Sequence, residues 1–200
     1  MTMLEQRIQQ HFFDSADLKY QSAEALARPV ANMAQALVTG LTAGGRLLVA
    51  GSGACGALAQ LAAALLVGGF ERDRPGLPAL PLGTNGVLQG ALAVVTEPDQ
   101  VLARQVQTLG APGDLLLLLD THGNDNSLIA ALAAAQAKDM TVLVLSGGDG
   151  GALGAALSDT DVLVALNHDR RARIMELQLL VLHALCDAID IQLLGEQEPA

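Results

Sequence analysis

Asp120, His122 and Asp125 place three titratable side chains within six residues, directly after five consecutive leucines, in the stretch LLLLLDTHGNDNS (115–127). A carboxylate and an imidazole within hydrogen-bond reach can do acid–base work, and two carboxylates with a histidine can hold a divalent ion. The competing reading is structural. Asp120 and Asp125 serve as turn and N-cap residues for a helix beginning near Asn126, and this reading is preferred. His11 and His168 have no partner at a diagnostic spacing. A second loop, GSGACG (51–56), has the glycines that aim backbone N–H groups at an anion. It lacks the Walker lysine and the acidic ribose-binding residue of a dinucleotide site, so neither nucleotide reading is adopted. SGGDGG (146–151) reads as a flexible glycine turn with Asp149 exposed. Cys55 and Cys186 lie far apart without metal-binding or redox spacing and read as reduced thiols.

These loops need elements to position them. A short apolar run ending in turn-formers is a buried parallel strand feeding a βα loop, and ligands bind at the carboxyl ends of such strands. The pattern predicts strands at 46–50, 77–82, 114–119, 140–145 and 161–166. Helices are predicted over 3–27, then over 30–45 after Pro29 starts or kinks a new segment. Others follow GSGACG, cover TNGVLQGALAVV and EPDQVLARQVQTLG, and span 126–138 and 170–194. FERDRPG reads as a charged surface loop. Alternating strands and helices imply the α/β class. The expected architecture is a doubly wound, five-stranded parallel sheet with an N-terminal helical arm (1–43), all in one domain spanning 1–200.

Apolar residues make up 51% of the chain but aromatics only 2%, so Ala, Leu and Val must fill the core. A net charge of −10 without a basic block argues against direct binding of nucleic acid. It leaves room for a protein partner that itself binds DNA. The start, MTMLEQRIQQHFF, carries charges and glutamines where a signal peptide needs an apolar core, and polar residues interrupt every apolar run of membrane-spanning length. A soluble cytoplasmic protein is expected. The last helix shows two apolar stripes, Ile174, Leu177, Val181, Ala184, Ala188 and Ile191 beside Met175, Leu179, Leu182, Cys186, Ile189 and Leu193. One stripe can face the sheet; the other is expected at a subunit interface, although the N-terminal arm could cover it. Ile174, Leu177, Val181, Leu193 and Leu194 are the residues expected at that oligomer or partner surface.

Four segments carry a resemblance: LLVAGSGACGALAQLAAALLVGGFERDRPGLPALPL, LGAPGDLLLLLDTHGN, VLVLSGGDGG and ARIMELQLLVLHALCDAID. In order and spacing they resemble SIS-domain proteins, whose sheet is flavodoxin-like. The branch comprises phosphoheptose isomerases and the DnaA initiator-associating protein DiaA. The resemblance implies a His and a Glu four residues apart on the helix after the first strand, facing metal and substrate; here those positions are Leu61 and Leu65. It also implies a Gln and, eight residues on, a His in the last helix, where this chain has Met175 and His183. His183 reads as a core or interface histidine. The family's phosphate loop, Ser-Thr-Ser-Gly-Asn-Ser, corresponds to Asp120, Thr121, His122, Gly123, Asn124 and Asp125. Beside Ser52 in the first loop, Cys55 replaces a phosphate-binding Ser, and an Asn-Asp pair is Val94-Val95.

The expectation is therefore a degenerate phosphosugar pocket, formed by these positions, with no catalytic residue, metal or cofactor. The chain would be no enzyme. By resemblance it would be a homotetrameric scaffold that binds several DnaA initiators and promotes replication initiation through multivalency. The rivals are an isomerase of sedoheptulose 7-phosphate with a relocated or metal-free site, and a phosphosugar-binding module.

Overall fold

Alternate leucines of the 115–119 run point to opposite faces, and each face is covered by helices, so every one of the five is no more than 1% exposed. The computed structural model describes residues 1–196. Its strands are β1 (Leu47–Gly51), β2 (Ala79–Pro81), β3 (Leu115–Leu119), β4 (Thr141–Gly147) and β5 (Val162–Leu166). They form one parallel sheet in the order β2-β1-β3-β4-β5. Seven α-helices and a 3₁₀ turn (Pro98–Gln100) complete the described chain, the α-helices being α1 (Met3–Thr42), α2 (Cys55–Gly68), α3 (Gly86–Val95), α4 (Val101–Leu109), α5 (Asn126–Gln136), α6 (Gly151–Ala155) and α7 (Arg171–Leu194). Leu115, Leu117 and Leu119 pack with α1, α2 and α7, whereas Leu116 and Leu118 pack with α4 and α5. The expected doubly wound α/β fold is the one observed. Strand order reverses between β1 and β3, which pair from Leu47↔Leu115 to Gly51↔Leu119. Chains leave these two strands toward opposite faces, so a crevice opens at their carboxyl ends.

Three expectations are corrected. The N-terminal arm is one 40-residue helix, not two, with Pro29 inside it. The missing N–H and ring clash cost about 3 kcal/mol. Burial of Val30, Met33, Ala34, Leu37 and Leu41 just beyond the proline offsets this, at about 1.5–3 kcal/mol for each large side chain. At the other end Thr2 and Glu5 form a reciprocal capping box.

The second correction concerns α7. Ile174, Leu177 and Val181 are buried within the chain, because α1 lies along that part of α7, whereas Ala184 and Ile191 of the same stripe stay exposed. Arg173 locks the two helices, donating to Glu176 and to the carbonyl oxygen of His11 at 2.9 Å, while the Ser15 hydroxyl donates to Glu176 at 2.7 Å. His11 thus has a partner that its sequence spacing did not reveal. By length and composition α7 could cross a membrane. Its buried stripes and the buried Arg173, Gln178 and Asp190 mark it instead as an interior helix of this fold.

Third, FERDRPG is only partly a surface loop. Arg74 inserts its side chain, 1% exposed, and pairs with Asp190 of α7 at 2.6 Å. It also donates to the carbonyls of Leu65 and Leu66, tying the end of α2 to α7.

Candidate functional site

Backbone geometry forces the shape of the crevice. At Gly51 a Cβ would lie 2.4 Å from the Cys55 carbonyl oxygen, so the turn from β1 into α2 closes only around glycine. In the loop after β3, Gly123 has φ +72°, and a Cβ there would meet the Gly150 carbonyl at 1.8 Å. These two turns bring Ser52 against Asp120.

Asp120 is almost fully buried, and its carboxylate gathers the loop's donors. The Ser52 hydroxyl donates to it, as do the backbone N–H groups of Thr121 at 2.7 Å, Gly123 at 2.7 Å and Asn124 at 3.2 Å. Burial pushes its pKa up, but these hydrogen bonds outweigh burial and hold it below the ordinary carboxylate value. Asp125 caps α5, accepting from the N–H groups of Ser127 at 2.9 Å and Leu128 at 3.2 Å. Both carboxylates are thus committed to the loop's own N–H groups.

His122 is exposed and forms no carboxylate–imidazole pair among the described residues. Its Nδ1 lies 2.8 Å from the Thr121 hydroxyl, and its Nε2 accepts from Arg171 Nε at 3.1 Å. Acceptance at Nε2 places the ring proton on Nδ1, which then donates to Thr121; the imidazole is neutral. Arg171 comes from the first turn of α7. With Ser52, Cys55, Thr121, His122 and Met175 it lines a cavity of about 410 Å³. A neighbouring cavity of about 550 Å³ reaches toward α3 and shares Ser52, Gly53 and Asp125.

Two members of this site escaped the sequence reading. Arg171 is the first; its only signal is the arginine-rich start of the last helix, at 170, 171 and 173. Gln178 is the second. It is fully buried, and its Nε2 donates to the carbonyls of Asp120 at 2.7 Å and Leu145 at 3.0 Å, joining the ends of β3 and β4 to α7. Its Oε1 accepts from the Cys55 thiol at 3.4 Å. Burial, with the Asp120 charge beside it, pushes the Cys55 pKa up to about 11 despite the Gln178 hydrogen bond, so the thiol stays protonated at neutral pH.

The remaining expected site residues are dispersed. Leu61 and Leu65 are half-buried on α2, Leu65 packing into the core. His183 sets its ring 5.3 Å from that of Phe70. Val94 and Val95 are exposed on α3, and Leu193 and Leu194 end α7. Two leucines and a thioether offer a hard divalent ion no ligand. Among the described residues no three His, Cys, Asp or Glu side chains come together to hold a metal. These residues do not fit the metal that the resemblance implies.

With this geometry in place, the comparisons decide the family. The SIS domain model matches residues 11–147. The chain belongs to the SIS-domain family. A phosphoheptose isomerase from Methylibium petroleiphilum is 52% identical over 198 residues, 99% of each chain. The DnaA initiator-associating protein DiaA of Klebsiella pneumoniae is 39% identical over 96% of this chain and 98% of its own. Among solved structures, phosphoheptose isomerase GmhA from Neisseria gonorrhoeae superposes with a TM-score of 0.88 at 37% identity, over 94% of this SIS chain and 99% of its own.

The expectation that the chain is no enzyme is corrected by these relatives. At 52% identity over the whole length, the name carried is that of an isomerase. The expectation rested on side chains missing from three of four metal positions, Leu61, Leu65 and Met175, and on the altered serine loop. Missing groups at those positions do not remove the imidazole, hydroxyl and guanidinium that the crevice holds elsewhere.

Proposed function

We propose that this SIS protein isomerises a phosphosugar of the phosphoheptose class in the crevice between β1 and β3, with sedoheptulose 7-phosphate as the first substrate to test. One observation carries this reading. The switch-point cavity of about 410 Å³ brings together the Thr121 hydroxyl, the neutral His122 imidazole and the Arg171 guanidinium. A ketose–aldose isomerisation moves a proton between neighbouring carbons and needs donors for the two oxygens. His122 lines the cavity and carries its unprotonated nitrogen at Nε2, where Arg171 donates to it; this nitrogen takes the role of base. The Thr121 hydroxyl is a donor to these oxygens, and the Arg171 guanidinium meets the substrate's charge. Asp120, ionised and occupied by loop donors, shapes the loop and moves no proton. No step is assigned to a metal.

Purified protein mixed with sedoheptulose 7-phosphate in D₂O provides the test, followed by proton NMR. The expected result is an aldose heptose phosphate carrying solvent deuterium at the carbon next to the carbonyl. Conversion no faster than in a mock-purified control contradicts the reading.

A second role, docking of the replication initiator DnaA, is proposed alongside the first because of the DiaA-named relatives. The first half of α1 offers a surface for it and for homotetramer formation, since Met3, Leu4, Phe12, Phe13 and Tyr20 are each more than half exposed. Such a partner places the protein in the cytoplasm. A native mass measurement with a pull-down of the organism's own DnaA tests this role; a monomer that retains no DnaA contradicts it.

A further inference from the structure

Donors for an anion line two walls of the crevice. On the β3–α5 wall they are already taken: the N–H groups of Thr121, Gly123 and Asn124 donate to Asp120, and Asp125 caps α5. The α7 wall is the reverse. Arg170, the N-cap residue of this 24-residue helix, makes no side-chain capping bond, which leaves the first-turn N–H groups without a carboxylate over them. Arg171 forms no salt bridge among the described residues; its Nε is spent on a neutral ring nitrogen. An unneutralised guanidinium thus sits at an uncapped helix start and lines the cavity.

We propose that Arg171, backed by the first turn of α7, is the phosphate-binding residue of this protein, and that the β3–α5 loop does not contact the phosphate. A guanidinium fork fits two oxygens of a phosphate, and the helix start adds a favourable dipole. Asp120 and Asp125 line the opposite side of the same cavity, and their charge turns a dianion away from the loop and toward Arg171. The arrangement couples binding to chemistry. When phosphate takes the Nε–H of Arg171, that bond to His122 Nε2 is lost and the nitrogen is released into the cavity as a base. Sugar phosphates are therefore preferred over their dephosphorylated forms, both for affinity and for exposing the base. This deepens the isomerase reading and rests on it for the identity of the sugar.

Calorimetric titration tests it, using sedoheptulose 7-phosphate, sedoheptulose and inorganic phosphate. Arg171→Ala is expected to weaken the sugar phosphate and inorganic phosphate by roughly tenfold or more, with Arg171→Lys in between because it keeps charge but not the fork. Sedoheptulose binds the variants and the unaltered protein alike. Arg28→Ala, an exposed arginine on α1 outside the cavity lining, leaves all three affinities unchanged. Sugar-phosphate affinity unchanged in Arg171→Ala overturns the inference, while turnover by the unaltered protein still upholds the isomerase reading. Arg171-dependent binding without turnover upholds the inference and removes the reading. An unaltered protein that binds neither phosphate nor sugar phosphate overturns both.

Discussion

The two walls of the crevice carry the same kind of group, backbone and side-chain donors at the ends of helices, and reach opposite states. After β3 the chain supplies its own anions, Asp120 and Asp125, and the wall is internally satisfied. At the start of α7 it supplies a cation, Arg171, held among the described residues by a neutral imidazole. A donor array is therefore not evidence of a ligand site until its acceptors have been counted. By that count the β3–α5 loop is architecture, and the α7 start is where a ligand's charge can be met.

The sharpest break of this comparison is at the base on the open wall. His122→Ala is expected to lower kcat for sedoheptulose 7-phosphate by about 10²–10⁴-fold, the usual worth of a general base, with little change in the thermal unfolding midpoint. Stability unchanged and activity unchanged together would assign the base elsewhere.

On the satisfied wall the expectation is inverted. Asp120→Ala leaves the Ser52 hydroxyl and three loop N–H groups without their acceptor, and urea unfolding should show a loss of about 3 kcal/mol. Asp120→Asn keeps the shape and loses less. A loss within about 0.5 kcal/mol for the alanine variant, typical of an unengaged surface site, would mean that the carboxylate is not the loop's anchor.

The same carboxylate gives a smaller, pH-dependent signal. Its folded pKa lies below the ordinary value, so its contribution to stability is fully present above about pH 5 and falls away as the pH drops through the folded value. Glu176, buried in part but held low by hydrogen bonds from Ser15 and Arg173 and by the charges of Arg173 and Lys19, loses stability over the same acidic window. Stability should thus decline on acidification, and Asp120→Asn should decline less steeply than the unaltered protein. Parallel acid profiles would contradict the assignment.

The least effect is expected at Cys55. Its thiol, raised to about 11, lies between the two walls and should resist alkylation by iodoacetamide at pH 7.5 in the folded protein, then react after unfolding. Rapid labelling of the native state would show that the cavity floor is more open than the hydrogen bond to Gln178 implies.

How much of this was legible in the chain depends on the range of each interaction. The buried strands announce themselves locally, because an apolar run of five cut off by turn-formers admits few alternatives. The cap at Asp125 was legible for the same reason, its donors being two and three residues away. Pro29 misled because its local penalty is visible while the burial of Met33 and Leu37 that overrides it is tertiary. The stripes of α7 were visible as periodicity, but which surface covers each depends on where α1 lies. Arg171 meets His122 across 49 positions, and Gln178 meets the Asp120 carbonyl across 58. No local spacing encodes such contacts. The step from absent metal ligands to absent activity failed for a different reason: it treated one set of positions as the only route to proton transfer.

The most direct test of the account is a crystal structure of the protein with sedoheptulose 7-phosphate. The account predicts the sugar in the β1/β3 crevice, its phosphate within hydrogen-bond distance of Arg171, and the Ser52–Asp120 and Gly123–Asp120 hydrogen bonds intact. A phosphate seated on the N–H groups of Gly123 and Asn124 with Asp120 displaced, or a crevice that takes no sugar phosphate at all, would contradict it.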